Sequence, residues 1–464
     1  MNVLNTDVLV IGSGPSGLAA ALEAHRNGAN TVIVDSFARA GGQYWMQSKY
    51  GLERNDRQMQ AGANFITNSE NLGIKTITDA EVWGILPKYR VFIQQGSRDS
   101  IEITARALVI CTGAHDFVMP FTGWTLPGVM TAGAGQRYVK MYGKPPGDKI
   151  VLAGSGVFLW AVAATIVKAG GKLEAMVESS SNQFRLFSLI GRHPSRWTET
   201  RRLLSPVLRS GVQRLNGYRI DYAQGEDRIE AVKLRQVSNS DRDASQELEM
   251  ETDCLLVSHG FRPITEITAL LRCEHQFDTK KGGWYCKTDP ETGATSIDNV
   301  YAAGEVTGVT GAQSALIEGA LAGLGVSEKL GFTRNGIERK RARLMKRQLR
   351  TARFADGLAE LFELNTNSMP RIDDNTLVCR CEDVIWGDVL KSWDDGAQNL
   401  QAVKYWTRLG MGRCQGRICG VAVSRLLANQ FDLDPRIFGF NHPRLPLRPV
   451  TVNVVHDALA RKSL

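Results

Sequence analysis

The chain has 464 residues, 43% of them hydrophobic and 22% charged, with 46 glycines and 8 cysteines. At roughly 150 residues per domain this length holds about three cores, which excludes a small stapled scaffold; the balance is too apolar for disorder and too polar for a membrane bundle. Lys and Arg outnumber Asp and Glu by 56 to 48, a net charge of +8 that favours anionic partners such as dinucleotide phosphates, acidic lipid or an acidic subunit.

From Thr6 to Asp35 the sequence reads as a buried strand, a glycine turn, an amphipathic helix and a second buried strand. No basic leader or small-residue cleavage site precedes it, so secretion is not expected and the chain is read as cytoplasmic. Gly12-Ser13-Gly14-Pro15-Ser16-Gly17 matches G-x-G-x-x-G in the context that motif requires. The first glycine permits the tight turn, the second lets backbone approach a pyrophosphate, and the third lets the helix pack on the strand. The helix N-terminal N–H groups then face the phosphates. Asp35 ends the second strand, where a carboxylate accepts hydrogen bonds from an adenosine ribose. Two further segments lie near apolar runs: the Gly41-Gly42-Gln43 loop, and Thr112-Gly113 at the end of a strand.

A second copy of the pattern runs from Lys149 to Glu178 and is read as an insertion within the first domain. Gly154 and Gly156 supply the turn and the close approach, but Leu159 stands at the third glycine position and is expected to hold the helix farther from the strand. Glu178 is placed to accept a ribose, so the unit is either a site for NAD or an adenine nucleotide, or a structural domain. Its apolar stretch, Gly156 to Val167, falls short of the ~18 residues of a spanning helix. No membrane span is therefore expected, and peripheral attachment to the inner face of the cell membrane stays open. A third strand-like run, Val300 to Ala303, leads into Gly304-Glu305 and an alanine-rich helix. Residues 335–354 carry eight Lys/Arg against one Glu and read as a basic helix, either a solvated connector or a dock for an acidic subunit or lipid. Nucleic acid is not expected as a partner, because no aromatic-interleaved basic pattern accompanies that helix.

Four of the eight cysteines form C-x-C-x32-C-x4-C: Cys379, Cys381, Cys414 and Cys419. Four thiolates from two loops suit tetrahedral iron or zinc, so ligand count alone leaves a [2Fe-2S] cluster, structural zinc and unligated thiols open. Glycines 410, 412, 416 and 420 let backbone N–H groups reach sulfur, and Arg380, Arg413 and Arg417 add positive charge; both would raise the potential of a cluster. Cys111, Cys254, Cys273 and Cys286 lack partner spacing and read as buried thiols. There is no C-x-x-C to suggest a disulfide reductase. His115 and His259 read as satisfied loop histidines, and no residue pattern nominates an acid–base catalyst.

Residues 297–305, Ile-Asp-Asn-Val-Tyr-Ala-Ala-Gly-Glu, resemble the second flavin signature of two-dinucleotide-binding-domain flavoproteins, with Glu305 where that family usually has Asp. The loops at Gly41-Gly42-Gln43 and Thr112-Gly113 resemble flavin-contacting segments of the same enzymes. The resemblance implies FAD bound by these residues together with Gly12 to Gly17, Asp35, Gly304 and Glu305. Residues 409–420, with their C-x4-C, are similar to the bacterioferritin-associated ferredoxin (BFD) module, which implies a [2Fe-2S] cluster on the four cysteines. With the segment from Gly123 to Ala134, nearly the whole chain resembles the FAD-containing α subunit of heteromeric flavin amino-acid dehydrogenases, a group spanning opine oxidase, D-hydroxyproline dehydrogenase and hydrogen cyanide synthase.

That resemblance implies an α/β fold: an FAD Rossmann-like domain at 1–115 and 290–330, and an inserted NAD-type domain at 116–289. A basic helical linker follows at 331–370, then a small helical BFD-like domain at 371–430 and a tail at 431–464. It implies a catalytic FAD-dependent β subunit of the D-amino-acid-oxidase type, a small ferredoxin-like γ subunit, and a quinone or other respiratory acceptor, and it leaves FMN at a subunit interface open. The expected role is to carry electrons from an amino acid, glycine as in cyanide formation or else an opine or D-hydroxyproline, oxidised on the partner. The competing readings are a stand-alone NAD(P)H-dependent FAD/[2Fe-2S] reductase and a non-catalytic assembly subunit.

Overall fold

The computed structural model describes residues 2–48, 50, 56–97, 99–180, 188–192, 197–237, 246–362 and 368–460. The chain divides into two units: Met1–His115 with Arg262–Ala355 and His442–Leu464, and Asp116–Phe261 with Asp356–Asn441.

In the first unit, strands Lys75–Ile77, Thr31–Val34, Asn2–Ile11, Asp99–Ile110, Arg90–Gln95 and Ala80–Leu86 are neighbours in that order, and Val300–Ala302 completes a seven-stranded sheet against Asp99–Ile110. The long central strand has two kinds of partner. Asn2–Ile11 runs parallel to it over nearly its whole length, while Arg90–Gln95 pairs antiparallel with its first half and Val300–Ala302 parallel with its end. Where the sheet is parallel, alternate residues serve opposite cores: Leu9, Ile11, Leu108 and Ile110 pack on one face, Val8, Val10, Ala107 and Val109 on the other. Both faces are covered, which is why these strands read as unbroken apolar runs.

Helix Pro15–Arg26 carries proline in its first turn, where a missing N–H costs nothing. Against it lies helix Ala312–Lys329, at a separation only glycine allows: a Cβ on Gly319 would stand 2.0 Å from the Ser16 carbonyl oxygen. The basic run forms the helix Ile337–Leu361. In its first turns Lys340 reaches Glu23, and Arg341 pairs with Glu328 and Glu338. The chain after Asn441 returns to this unit: Leu447 is buried, donates its N–H to Trp83 O at 2.8 Å, and leads to helix Val452–Leu459.

The second unit holds a parallel five-stranded sheet in the order Gln213–Asn216, Leu173–Glu178, Ile150–Gly154, Cys254–Ser258, Val129–Thr131. An antiparallel sheet of Tyr218–Gln224, Ala231–Gln236 and Glu247–Glu251 packs beside it. The cysteine-bearing segment follows, with strands Leu377–Cys379 and Val384–Ile385 and helices Trp386–Asp394, Leu400–Thr407 and Cys419–Phe431. Its core is shared with the start of the same unit, since Phe117 and Met119 pack among Val378, Trp386, Leu400 and Phe438. The Trp124 indole donates to Leu377 O at 2.7 Å, and Arg219 to Met369 O at 3.1 Å. The guanidinium groups of Arg380 and Arg425 lie over the rings of Trp124 and Phe117.

Candidate functional site

The first glycine turn gathers four distant segments. Gly12 has φ +106°, and a Cβ there would meet Cys111 O at 2.2 Å; one on Gly17 would stand 1.8 Å from Gly12 O. Strand end and helix start are thus in backbone contact, and any side chain would part them. Asp35 accepts from Ser13 N at 2.6 Å, Ser13 Oγ at 2.5 Å and Phe37 N at 2.8 Å. Its carboxylate therefore holds the turn in shape before any ribose arrives. Gly41 N donates to Ser13 O, and Gly42 sits so near Gly14 that a Cβ would meet the Gly14 Cα at 2.9 Å. Gln43 donates to Ala114 O at 3.3 Å, tying that loop to the segment after Thr112-Gly113, while the Thr112 hydroxyl is engaged by Ile264 O at 2.7 Å. A Cβ on Gly304 would meet Ser16 Oγ at 2.5 Å, which brings the Gly304-Glu305 turn to the same helix start.

Beneath this turn lies a carboxylate that sequence reading missed. Glu318 accepts from Gly304 N at 3.0 Å, Thr307 Oγ at 3.1 Å and Ser314 Oγ at 3.1 Å, fixing the loop that presents Glu305. Burial, and then the neighbouring Glu318, push Glu305 up to about 7; Glu318 is itself raised by burial. The available signal was an acid set in the apolar, alanine-rich middle of a helix. Cys111 is buried below the turn, and its thiol is pushed up to about 12 by desolvation, so it stays protonated.

The second turn repeats the plan with different closure. Glu178 accepts from Gly156 N at 2.9 Å and Ser180 N at 3.1 Å, as Asp35 does for Ser13 and Phe37, and burial pushes it up to about 7. Leu159, however, is 1% exposed and packs into the sheet core, and the helix begins at Phe158.

The four cysteines come together as two pairs. The Cys379 thiol is lowered to about 6, first by a hydrogen bond from Cys419 and then, against desolvation, by the backbone N–H groups of Gly410, Cys381 and Glu382. Cys381 is raised by desolvation and by the adjoining Cys414. Cys379 and Cys419 are buried, whereas Cys381 is exposed and Cys414 half-buried. Among the described residues no group of three or more His, Cys, Asp or Glu side chains is arranged around a single metal ion. Four thiols gathered in this way are a donor set suited to a [2Fe-2S] centre or a zinc ion.

The other predicted features have simpler places. His259 accepts from Met119 N at 3.2 Å and is held to about 4 by burial and then by Arg425, so it is neutral; His115 Nε2 lies 2.9 Å from Arg262 Nε. Cys273 and Cys286, which the spacing left unpaired, have their thiols in hydrogen-bond contact across the hairpin of His275–Asp278 and Gly283–Cys286. Their 13-residue separation hid a pairing that depends on the hairpin register. Among the described residues no helix is long and apolar enough to cross a membrane.

Residues 6–320 match the family described as pyridine nucleotide-disulphide oxidoreductase, and residues 373–458 match the sarcosine oxidase A3 domain. An opine oxidase subunit of Rhizobium meliloti is 28% identical over 99% of this chain and 89% of its own length. The hydrogen cyanide synthase subunit HcnB of Pseudomonas protegens is 25% identical over 96% of this chain and 97% of its own. The crystal structure of L-proline dehydrogenase from P. horikoshii superposes with a TM-score of 0.69 at 20% identity, covering 98% of this chain and 80% of that one. It shares the fold. A dinucleotide turn of this kind, in a chain matched over most of its length, is that of an FAD-dependent oxidoreductase subunit, and the chain belongs to the pyridine nucleotide-disulphide oxidoreductase family.

Proposed function

We propose that this chain is the electron-transferring subunit of a heteromeric amino-acid dehydrogenase. It would receive electrons from an amino acid or opine oxidised on a flavin-bearing partner, then deliver them to a respiratory acceptor such as a quinone. The observation that carries the reading is the pairing of Cys379 with Cys419 and Cys381 with Cys414 in a chain whose other unit holds a dinucleotide turn. When bound, FAD takes an electron pair and releases single electrons, which a [2Fe-2S] centre accepts one at a time. The residues of this chain position those groups. The Gly12–Gly17 turn offers backbone N–H groups to a pyrophosphate, Asp35 keeps the turn shaped, and Glu318 fixes the loop carrying Glu305. The backbone N–H groups of Gly410, Cys381 and Glu382 hold Cys379 as the thiolate that iron requires. Cys381, the exposed member, marks the side from which electrons can leave. Glycine, an opine or D-hydroxyproline is the class of substrate, bound on the partner; FMN at the contact between subunits, together with a small ferredoxin-like protein, completes the assembly.

The test is cofactor analysis of the complex purified without oxygen, followed by substrate addition. Expected are flavin, iron and labile sulfide in the wild type, an EPR signal on adding substrate, and loss of iron with retained flavin in a Cys414→Ser, Cys419→Ser variant. Iron-free wild-type protein, or a cluster that substrate never reduces, would overturn the proposal.

A further inference from the structure

Asn441 is placed at the cysteine centre in a way that neither its fold nor its packing explains. Both its amide atoms, Nδ2 and Oδ1, are buried with no hydrogen-bond partner among the described residues. Nδ2 fills the space where three glycines lack side chains. A Cβ on Gly416 would stand 2.0 Å from it, one on Gly410 2.8 Å and one on Gly420 3.1 Å. Those glycines are the backbone of the centre itself. The Gly410 N–H donates to Cys379, Gly420 follows Cys419, and Gly416 lies two residues beyond Cys414. The amide therefore touches the loop carrying ligands from both thiol pairs.

Its delivery is rigid. Asp434 caps the short turn Pro435–Phe438, Phe438 is 1% exposed and packs its ring against Trp393, and Gly439 at φ +67° turns the chain so that Asn441 follows. A buried amide left unpaired is costly, and the large majority of such groups in native proteins are completed by a protein, water or ligand partner. Thiolates and sulfides of an iron–sulfur centre are anionic acceptors; a carboxamide N–H is a donor, and rotation about the last torsion exchanges its two ends.

We infer that Asn441 is a positioning residue of the [2Fe-2S] centre, its amide N–H hydrogen-bonding a cluster sulfur and raising the reduction potential, with Gly410, Gly416 and Gly420 kept small to admit it. This rests on the cluster proposed above. Hydrogen bonds to sulfur stabilise the reduced, more negative form.

The full complex carrying Asn441→Leu, which keeps the shape without donors, Asn441→Asp and Asn441→Gln is compared with wild type in iron and labile sulfide content, EPR g-values and redox titration. Wild-type protein without labile sulfide would sink the cluster reading by itself, before any variant is made. With the cluster present, N441L is expected to retain iron and to shift the one-electron equilibrium toward the oxidised form about tenfold, equivalent to about 59 mV. N441D shifts it further in the same direction, and N441Q stays nearer wild type. Unchanged g-values and potential in N441L and N441D would overturn the inference. If those two variants lose their cluster on purification, the reconstituted proteins are timed for iron release to a chelator: faster release than N441Q supports the assignment, and equal rates overturn it.

Discussion

The chain contains the same βαβ plan twice, and the two copies close differently. At the first, Gly17 brings helix and strand into backbone contact, with 1.8 Å between its absent Cβ and Gly12 O. At the second, Leu159 fills the matching position and is 1% exposed in the sheet core. A turn closed by glycine keeps its helix N-terminus against the strand end, where phosphates bind; one closed by leucine trades that approach for core packing. The second copy's helix start is thus seated by core packing, and its unit also carries the cysteine-bearing segment, through Trp124, Arg219 and the shared core around Phe117 and Met119.

The sharpest way to break this contrast is to exchange the two closures. Gly17→Ala drives a methyl into the Gly12 carbonyl, a backbone clash that cannot relax by rotamer change, and is expected to remove most of the bound flavin and cost about 1–3 kcal/mol or more. Leu159→Ala should cost about 2–5 kcal/mol through the cavity it leaves, yet retain flavin in the folded protein. Flavin-to-protein ratio and chemical denaturation measure both. Equal flavin loss in the two variants would mean that the closures do not differ in role.

A smaller effect comes from Glu178. Its folded value of about 7 lies above the ordinary 4.5, so the native state holds a proton that the unfolded chain has released. Stability is therefore fully present below about 4.5 and declines as pH rises toward 7, by on the order of 3 kcal/mol. Glu178→Gln removes the titration and, like the protonated acid, keeps a carbonyl oxygen to accept from a backbone N–H. The two proteins should match near pH 4, and the variant should be the more stable near pH 8. Glu305 titrates in both and cancels in the difference. Parallel stability curves would show that Glu178 is solvated or ion-paired when folded.

What could be read from sequence follows the range of the interaction that makes each feature. The glycine turns and the C-x-C and C-x4-C spacings are local, so backbone chemistry announces them within six residues. The convergence of Gly41-Gly42, Thr112-Gly113 and Gly304 on the first turn needed a resemblance to suggest it, because parallel strands bring their ends together only after long crossovers. Glu318 was missed because an acid in an alanine-rich helix looks like a solvated face until its three donors are seen. Asn441 lies 22 residues beyond the last cysteine and carries no motif. Cys273 and Cys286 were read as separate thiols because hairpin register does not follow from spacing.

Trp124 offers the finest test of the idea that the second unit is a scaffold for the cysteine centre. It belongs to a segment that resemblance alone picked out, and its indole N–H reaches Leu377 O across 253 residues of sequence, two positions before Cys379. Trp124→Phe keeps an aromatic face for Arg380 but removes the donor, leaving a carbonyl beside the first ligand unpaired at a cost of about 1–3 kcal/mol. The loss should fall on the cysteine segment: faster amide exchange over residues 376–381 and faster iron release, with flavin content and the exchange of the Ile150–Gly154 strand unchanged. If exchange rose throughout the second unit instead, the indole would be holding the parallel sheet together rather than seating the cysteine loop upon it.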